Sequence, residues 1–105
     1  MVKRIEREQR THDRKVREIA RQLRKQGSEV RADGIRGYQR PHPIGKERRI
    51  PDIEATTKRG SRLIIEVETP KSLRADKEQL KTFTRHAAHK KGTKFNVVVT
   101  KPRKT

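Results

Sequence analysis

Four carboxylates fall at alternate positions in two short β-branched runs, Asp52 and Glu54 within residues 50–58 and Glu66 and Glu68 within residues 62–70. Arg59-Gly60-Ser61 between the runs reads as a hairpin turn. Strand side chains alternate between faces, so Ile53, Ala55, Leu63, Ile65 and Val67 form an apolar face that can be buried. Asp52, Glu54, Ile64, Glu66 and Glu68 form the other face. Pairing even positions against even sets Asp52 opposite Glu66 or Glu68, with Cβ atoms about 5 Å apart. Two carboxylates at that distance repel by roughly 3 kcal/mol at an effective dielectric near 20. Bound protons, a basic partner or an oxygen-coordinated divalent cation would offset the repulsion. The stretch is read as a metal site. Glu54 is expected to pair with Arg62 across the hairpin instead.

The elements that must position these acids follow from the rest of the chain. A helix is expected over 2–26, where Ile5, His12, Val16, Ile19, Ala20 and Leu23 recur at three- and four-residue spacing and Gly27 closes the last turn. Residues 28–33 alternate weakly and read as an edge strand. A long basic loop over 34–49 holds Gly34, Gly37, Pro41, Pro43 and Gly45 with Arg36, Arg40, His42, Lys46, Arg48 and Arg49. Tyr38 in that loop could stack on an unpaired base, or pack on the loop's own prolines. The acidic hairpin spans 50–69. After Pro70, Ser72 offers an N-cap for a basic helix over 73–91, with Leu80, Phe83, Ala87 and Ala88 as its buried stripe. Residues 94–100 are a continuous apolar run, which fits a strand covered on both faces. Residues 101–105 are a basic tail.

At 105 residues the chain is expected to form one domain, 1–105. Only 28% is apolar, so the core is thin and a homodimer interface could share the burial. There is no cysteine, no apolar run of membrane-spanning length and no signal-peptide pattern at the start, so a cytoplasmic location is expected. The net charge of +17 points to a polyanionic partner and disfavours a membrane surface or an acidic protein. Its distribution is uneven. Residues 1–26 hold ten Lys/Arg against four Asp/Glu, residues 27–69 nine against seven, and residues 70–105 eleven against two. Acid is concentrated in the hairpin and base surrounds it, which an architectural or ribosomal protein would not require.

The order helix, strand, loop, strand, hairpin strand, helix, strand implies a right-handed crossover between parallel third and fourth strands. The expected fold is a single three-layer α/β domain, a mixed four-stranded sheet flanked by helices in the order αβββαβ. That order, with Pro51-Asp52 leading one strand, thirteen intervening residues, and Glu66-Val67-Glu68 in the next, resembles the PD-(D/E)XK nucleases of restriction-endonuclease-like fold. Archaeal Holliday-junction resolvases and small phage nucleases are among them. The resemblance implies that Asp52 and Glu66 bind Mg²⁺ or Mn²⁺ with the Val67 carbonyl, and that Gln79 with Phe83 matches a glutamine-plus-aromatic element on the following helix. It departs at Glu68, which stands where the family carries its lysine. Glu68 could bind a second metal ion or accept a proton, and Lys71 is the nearest lysine that could substitute. Glu18, the one candidate for the acid that resolvases carry on the first helix, reads as half of an exposed ion pair.

The implied activity is a metal-dependent endonuclease hydrolysing phosphodiester bonds, in DNA rather than RNA. Tyr38, Arg48, Arg49, Arg74, Lys77, Lys81 and Arg85 are the candidate nucleic-acid contacts. The alternative is a catalytically inactive nucleic-acid-binding module that keeps the nuclease fold. His86 and His89 read as phosphate contacts or plain surface, and His12 and His42 carry no signal.

Overall fold

The computed structural model describes residues 6–100, so the expected tail over 101–105 and the first residues of the 2–26 helix, Ile5 included, lie outside the described residues. The first helix, α1 (Glu6–Lys25), has Glu6 and Glu8 in its first turn and Arg24 and Lys25 in its last, the distribution that its dipole favours. It buries His12, Val16 and Ala20, each four residues apart. Gly27, at φ 95°, turns the chain out of the helix while Ser28 N–H donates to the Leu23 carbonyl at 3.1 Å.

Strand β1 (Glu29–Ala32) pairs antiparallel with β2 (Ile53–Thr56), which pairs antiparallel with β3 (Arg62–Glu68). Two short helices follow, α2 (Pro70–Ala75) and α3 (Lys77–His89), and β4 (Thr93–Val99) closes the sheet parallel to β3. The sheet order is β1-β2-β3-β4, a mixed four-stranded sheet. Val16 and Ala20 pack with Val30, Ala32, Ile53, Ala55, Ile65 and Val67 on one face. On the other, Phe83 of α3 packs with Ile64, Ile44 and Phe95. Helices therefore cover both faces, and the expected odd-numbered apolar face of the hairpin is the one under α1.

Three boundaries differ from expectation. The helix expected over 73–91 is two helices, broken at Asp76. The first begins at Pro70 behind the N-cap Thr69, whose side chain accepts from Ser72 N–H in a capping box. Ser72 is thus the third residue of the helix rather than its cap. The last strand is not covered on both faces: Val97 and Val99 are 36% and 42% exposed, because β4 is an edge strand and the core that α3 builds around Phe83 takes in Phe95 rather than these two. An apolar run marks strand propensity, but only the neighbours decide its burial.

The 34–49 segment is not structureless either. Ile35 enters the α1-side core, and Ile44 and Arg49 exchange backbone hydrogen bonds at 2.8 and 2.9 Å to close a small turn. Gly45 sits in that turn at φ 76°, where a Cβ would meet Thr82 Cγ2 of α3 at 3.0 Å. This contact and the burial of Ile44 seat the loop on α3.

Candidate functional site

The acid cluster lies where β2 begins and β3 ends. The register Ile53↔Ile65 carries on to set Asp52 across from Glu66. Asp52 N–H donates to Glu66 Oε1 at 2.8 Å, and Val67 N–H donates to Asp52 Oδ2 at 2.8 Å. Each acid is thus fixed by the other's strand, through backbone amides that the sheet holds rigidly. Gln79 of α3 donates to Glu66 Oε2 at 3.1 Å, so both oxygens of Glu66 are engaged. Glu66 is 2% exposed, whereas the Asp52 side chain keeps 17% of its surface. Burial pushes the Glu66 carboxyl up to about 9, with the Asp52 charge acting in the same direction. Glu68 adds to the rise, while the Asp52 amide and Gln79 oppose it.

His12, which was not among the expected site residues, completes the group. Its Nε2 lies 3.1 Å from Asp52 Oδ2 and its Nδ1 lies 3.0 Å from Asp13 Oδ1. Carboxylates only accept, so an imidazolium donating from both nitrogens satisfies both contacts. His12 is 5% exposed. It occupies the buried stripe of α1 one helical repeat before Val16, and being the one polar member of that stripe was its available signal.

The remaining predicted residues distribute differently. Glu68 is fully buried, and its Oε2 accepts from Ser72 Oγ, tying the carboxylate to the start of α2. Lys71 is exposed on α2. Glu18 pairs with Lys15 at 3.3 Å on the surface, as expected. The even face is therefore no solvated acidic face. Glu54, Glu66 and Glu68 are all buried, beneath α2, α3 and the 34–49 loop.

Glu54 pairs with Arg62 as expected, through Arg62 Nε at 2.6 Å and Nη2. It also accepts from the His42 amide at 3.0 Å and from His42 Nδ1 at 2.8 Å. Burial raises the Glu54 pKa, but the His42 hydrogen bonds and the Arg62 charge outweigh it and leave the carboxyl below its usual value. Arg62 Nη1 reaches His86 Nε2 at 2.9 Å. A guanidinium only donates, so that nitrogen carries the lone pair and His86 is neutral. Burial, then the charges of Arg62 and Lys90, lower the His86 pKa in agreement. His42 escaped sequence reasoning because loop residues have no periodicity to place them.

Of the candidate nucleic-acid contacts, Arg48, Arg74, Lys77, Lys81 and Arg85 are exposed. Arg49 is half-buried and paired with Glu47. Arg85 lines an open cavity of about 460 Å³ with Lys46, Thr82, His86 and His89, between the turn at Gly45 and α3. Tyr38 packs on the α1-side core, and the Arg24 guanidinium lies 3.8 Å from its ring centroid. One face of that ring is therefore already covered, by an arginine rather than by the loop prolines.

Among the described residues no group of three or more His, Asp or Glu is arranged to hold a metal ion. The donor chemistry nevertheless suits Mg²⁺ at Asp52 and Glu66. Magnesium uses one or two carboxylates and fills its shell with water and phosphate oxygens. A buried carboxyl raised by a facing carboxylate is a site that a cation would relieve.

What the residues define is an α/β domain with a mixed four-stranded sheet and a carboxylate pair at one end of its central hairpin. No protein-family model matches the chain, and no curated protein or solved structure is significantly similar to it. No helix among the described residues is long and apolar enough to cross a membrane.

Proposed function

We propose that the protein is a metal-dependent nuclease of restriction-endonuclease-like fold, hydrolysing phosphodiester bonds in DNA. The observation that carries this reading is the pairing of Asp52 with Glu66 inside a chain of net charge +17. A fold that needed only to bind a polyanion would have no use for a buried acid pair facing its ligand's charge.

Asp52 and Glu66 would hold Mg²⁺ or Mn²⁺. When bound, the ion would supply an activated water and stabilise charge on the scissile phosphate. The chain's own residues prepare that site. Gln79 and the Asp52 amide fix the Glu66 carboxyl, and Val67 N–H and His12 fix Asp52. Exposed Lys77, Lys81 and Arg85 on α3, with Arg48 on the loop, would hold the sugar–phosphate backbone without reading sequence.

Hydrolysis of single-stranded, duplex, flapped and four-way DNA with Mg²⁺ or Mn²⁺ is the test. Wild type is expected to cut at least one substrate, and Asp52→Asn and Glu66→Gln to bind without cutting. No cutting of any substrate with either metal would overturn the enzyme reading. The second reading, a binding module without catalysis, is favoured by the buried carboxylate of Glu68 at the position of the family's lysine, and by an exposed Lys71 with no ion pair among the described residues.

A further inference from the structure

We propose that the outer face of α1 is a second nucleic-acid backbone site, on the opposite side of the sheet from α3, so that one molecule holds two segments of nucleic acid. The inference rests on the nucleic-acid reading of the domain but not on its catalysis. α1 turns Val16 and Ala20 onto the Ile53 and Ile65 face, whereas α3 packs Phe83 on the Ile64 face. At 100° per residue, Arg14, Arg17, Arg21 and Lys25 fall on the side of α1 away from that contact. All four are exposed.

These four cations, like Arg7 nearer the start of the helix, differ from Arg10, Lys15 and Arg24. Arg10 lies 3.9 Å from Glu6, Lys15 pairs with Glu18 at 3.3 Å, and Arg24 covers Tyr38 and donates to the Gly37 carbonyl at 3.3 Å. Arg14, Arg17, Arg21 and Lys25 have no ion pair or hydrogen-bond partner among the described residues. They line one open groove with Gln22 and Glu18, the latter already held by Lys15. Like charges three and four apart repel along a helix, so the row opposes the helix unless an anion lies on it.

The geometry selects the anion. From Arg14 to Lys25 the row is about 16 Å long, the length over which one strand of a duplex presents about five phosphates. It contains no aromatic or apolar side chain, so it can track a backbone but cannot stack on bases. A membrane-surface helix would need an exposed apolar face. Here that face is spent on the sheet.

The test mixes the full chain, without divalent metal, with two short duplexes carrying a donor and an acceptor dye. Energy transfer between the dyes reports bridging by one molecule when protein is limiting. Wild type is expected to bridge. A variant carrying Arg14→Gln, Arg17→Gln, Arg21→Gln and Lys25→Gln is expected to melt no lower than wild type, still bind one duplex, and lose the transfer. Its log K against log salt slope is expected to be shallower by roughly 3–4. The matching change of Arg14, Arg17 and Arg21 to lysine should retain bridging, since only charge is required. Bridging that survives the glutamine variant would overturn the proposal, as would capture of phosphatidylserine vesicles in place of duplex. The two readings fail separately. Cutting without bridging leaves the nuclease and removes the second site, and bridging without cutting does the reverse.

Discussion

Nε2 of His12 on the first helix lies 3.1 Å from Oδ2 of Asp52 on the central hairpin, forty residues further along the chain. The contact fastens α1 to the acid pair and gives the pair a neighbouring group that can carry positive charge. Removing it should therefore show in both stability and metal response. His12→Ala leaves the partly buried Asp52 oxygen with one donor fewer, a loss of about 1–3 kcal/mol. Urea melts measure it, and a variant as stable as wild type would reduce His12 to a bystander.

Metal binding gives a second prediction. An ion held as proposed by Asp52 and Glu66 would bind folded protein only, so millimolar Mg²⁺ or Mn²⁺ should raise the melting temperature through mass action. Asp52→Asn and Glu66→Gln should each abolish the rise while keeping most of the metal-free stability. In both variants the neutral side chain keeps an oxygen that can accept from the amide facing it. An unchanged wild-type melt would leave the pair as a structural clasp.

Glu54 sets a pH dependence. Its folded pKa lies below the usual 4.5, so folding holds the carboxylate in its charged form. The stability it contributes is fully present above about 4.5 and is lost as pH falls through the folded value. Glu54→Gln should destabilise the protein by about 1–3 kcal/mol near neutrality, since a charge-assisted contact with Arg62 is removed. The difference between variant and wild type should shrink on acidification. A constant difference from neutral to acid pH would exclude this role.

A lysine placed at position 68, where the nucleases that the chain resembles carry theirs, should not be tolerated. Glu68 is fully buried and accepts from Ser72 Oγ, so Glu68→Lys would bury an ammonium at the start of a helix, where the dipole is positive. A loss of about 3–5 kcal/mol is expected, against a smaller loss for Glu68→Gln. Thermal melts of the two variants decide it, and a lysine variant that melts with wild type would show that the pocket reaches water.

Much of this molecule was determined by local pattern. The period-two acids of residues 52–68, the Gly60 turn and the four-residue spacing of Val16 and Ala20 fix the hairpin, its register and the face of α1 that packs, because backbone geometry alone sets those periods. The pairing of Asp52 with Glu66 and of Glu54 with Arg62 follows from that register. Other features depended on what the folded chain brings alongside. His12 and His42 are ordinary polar residues until a helix and a loop, distant in sequence, bring them within about 3 Å of Asp52 and Glu54. Phe95, Val97 and Val99 share one apolar run, yet the core that α3 builds around Phe83 takes in the first rather than the other two, which the edge strand leaves to water. Glu68 alternates in phase with Glu66, but the capping box at Thr69 carries Ser72 onto it and makes it an anchor for α2. Periodicity is written within one element; burial and hydrogen-bond partners are set by which elements meet.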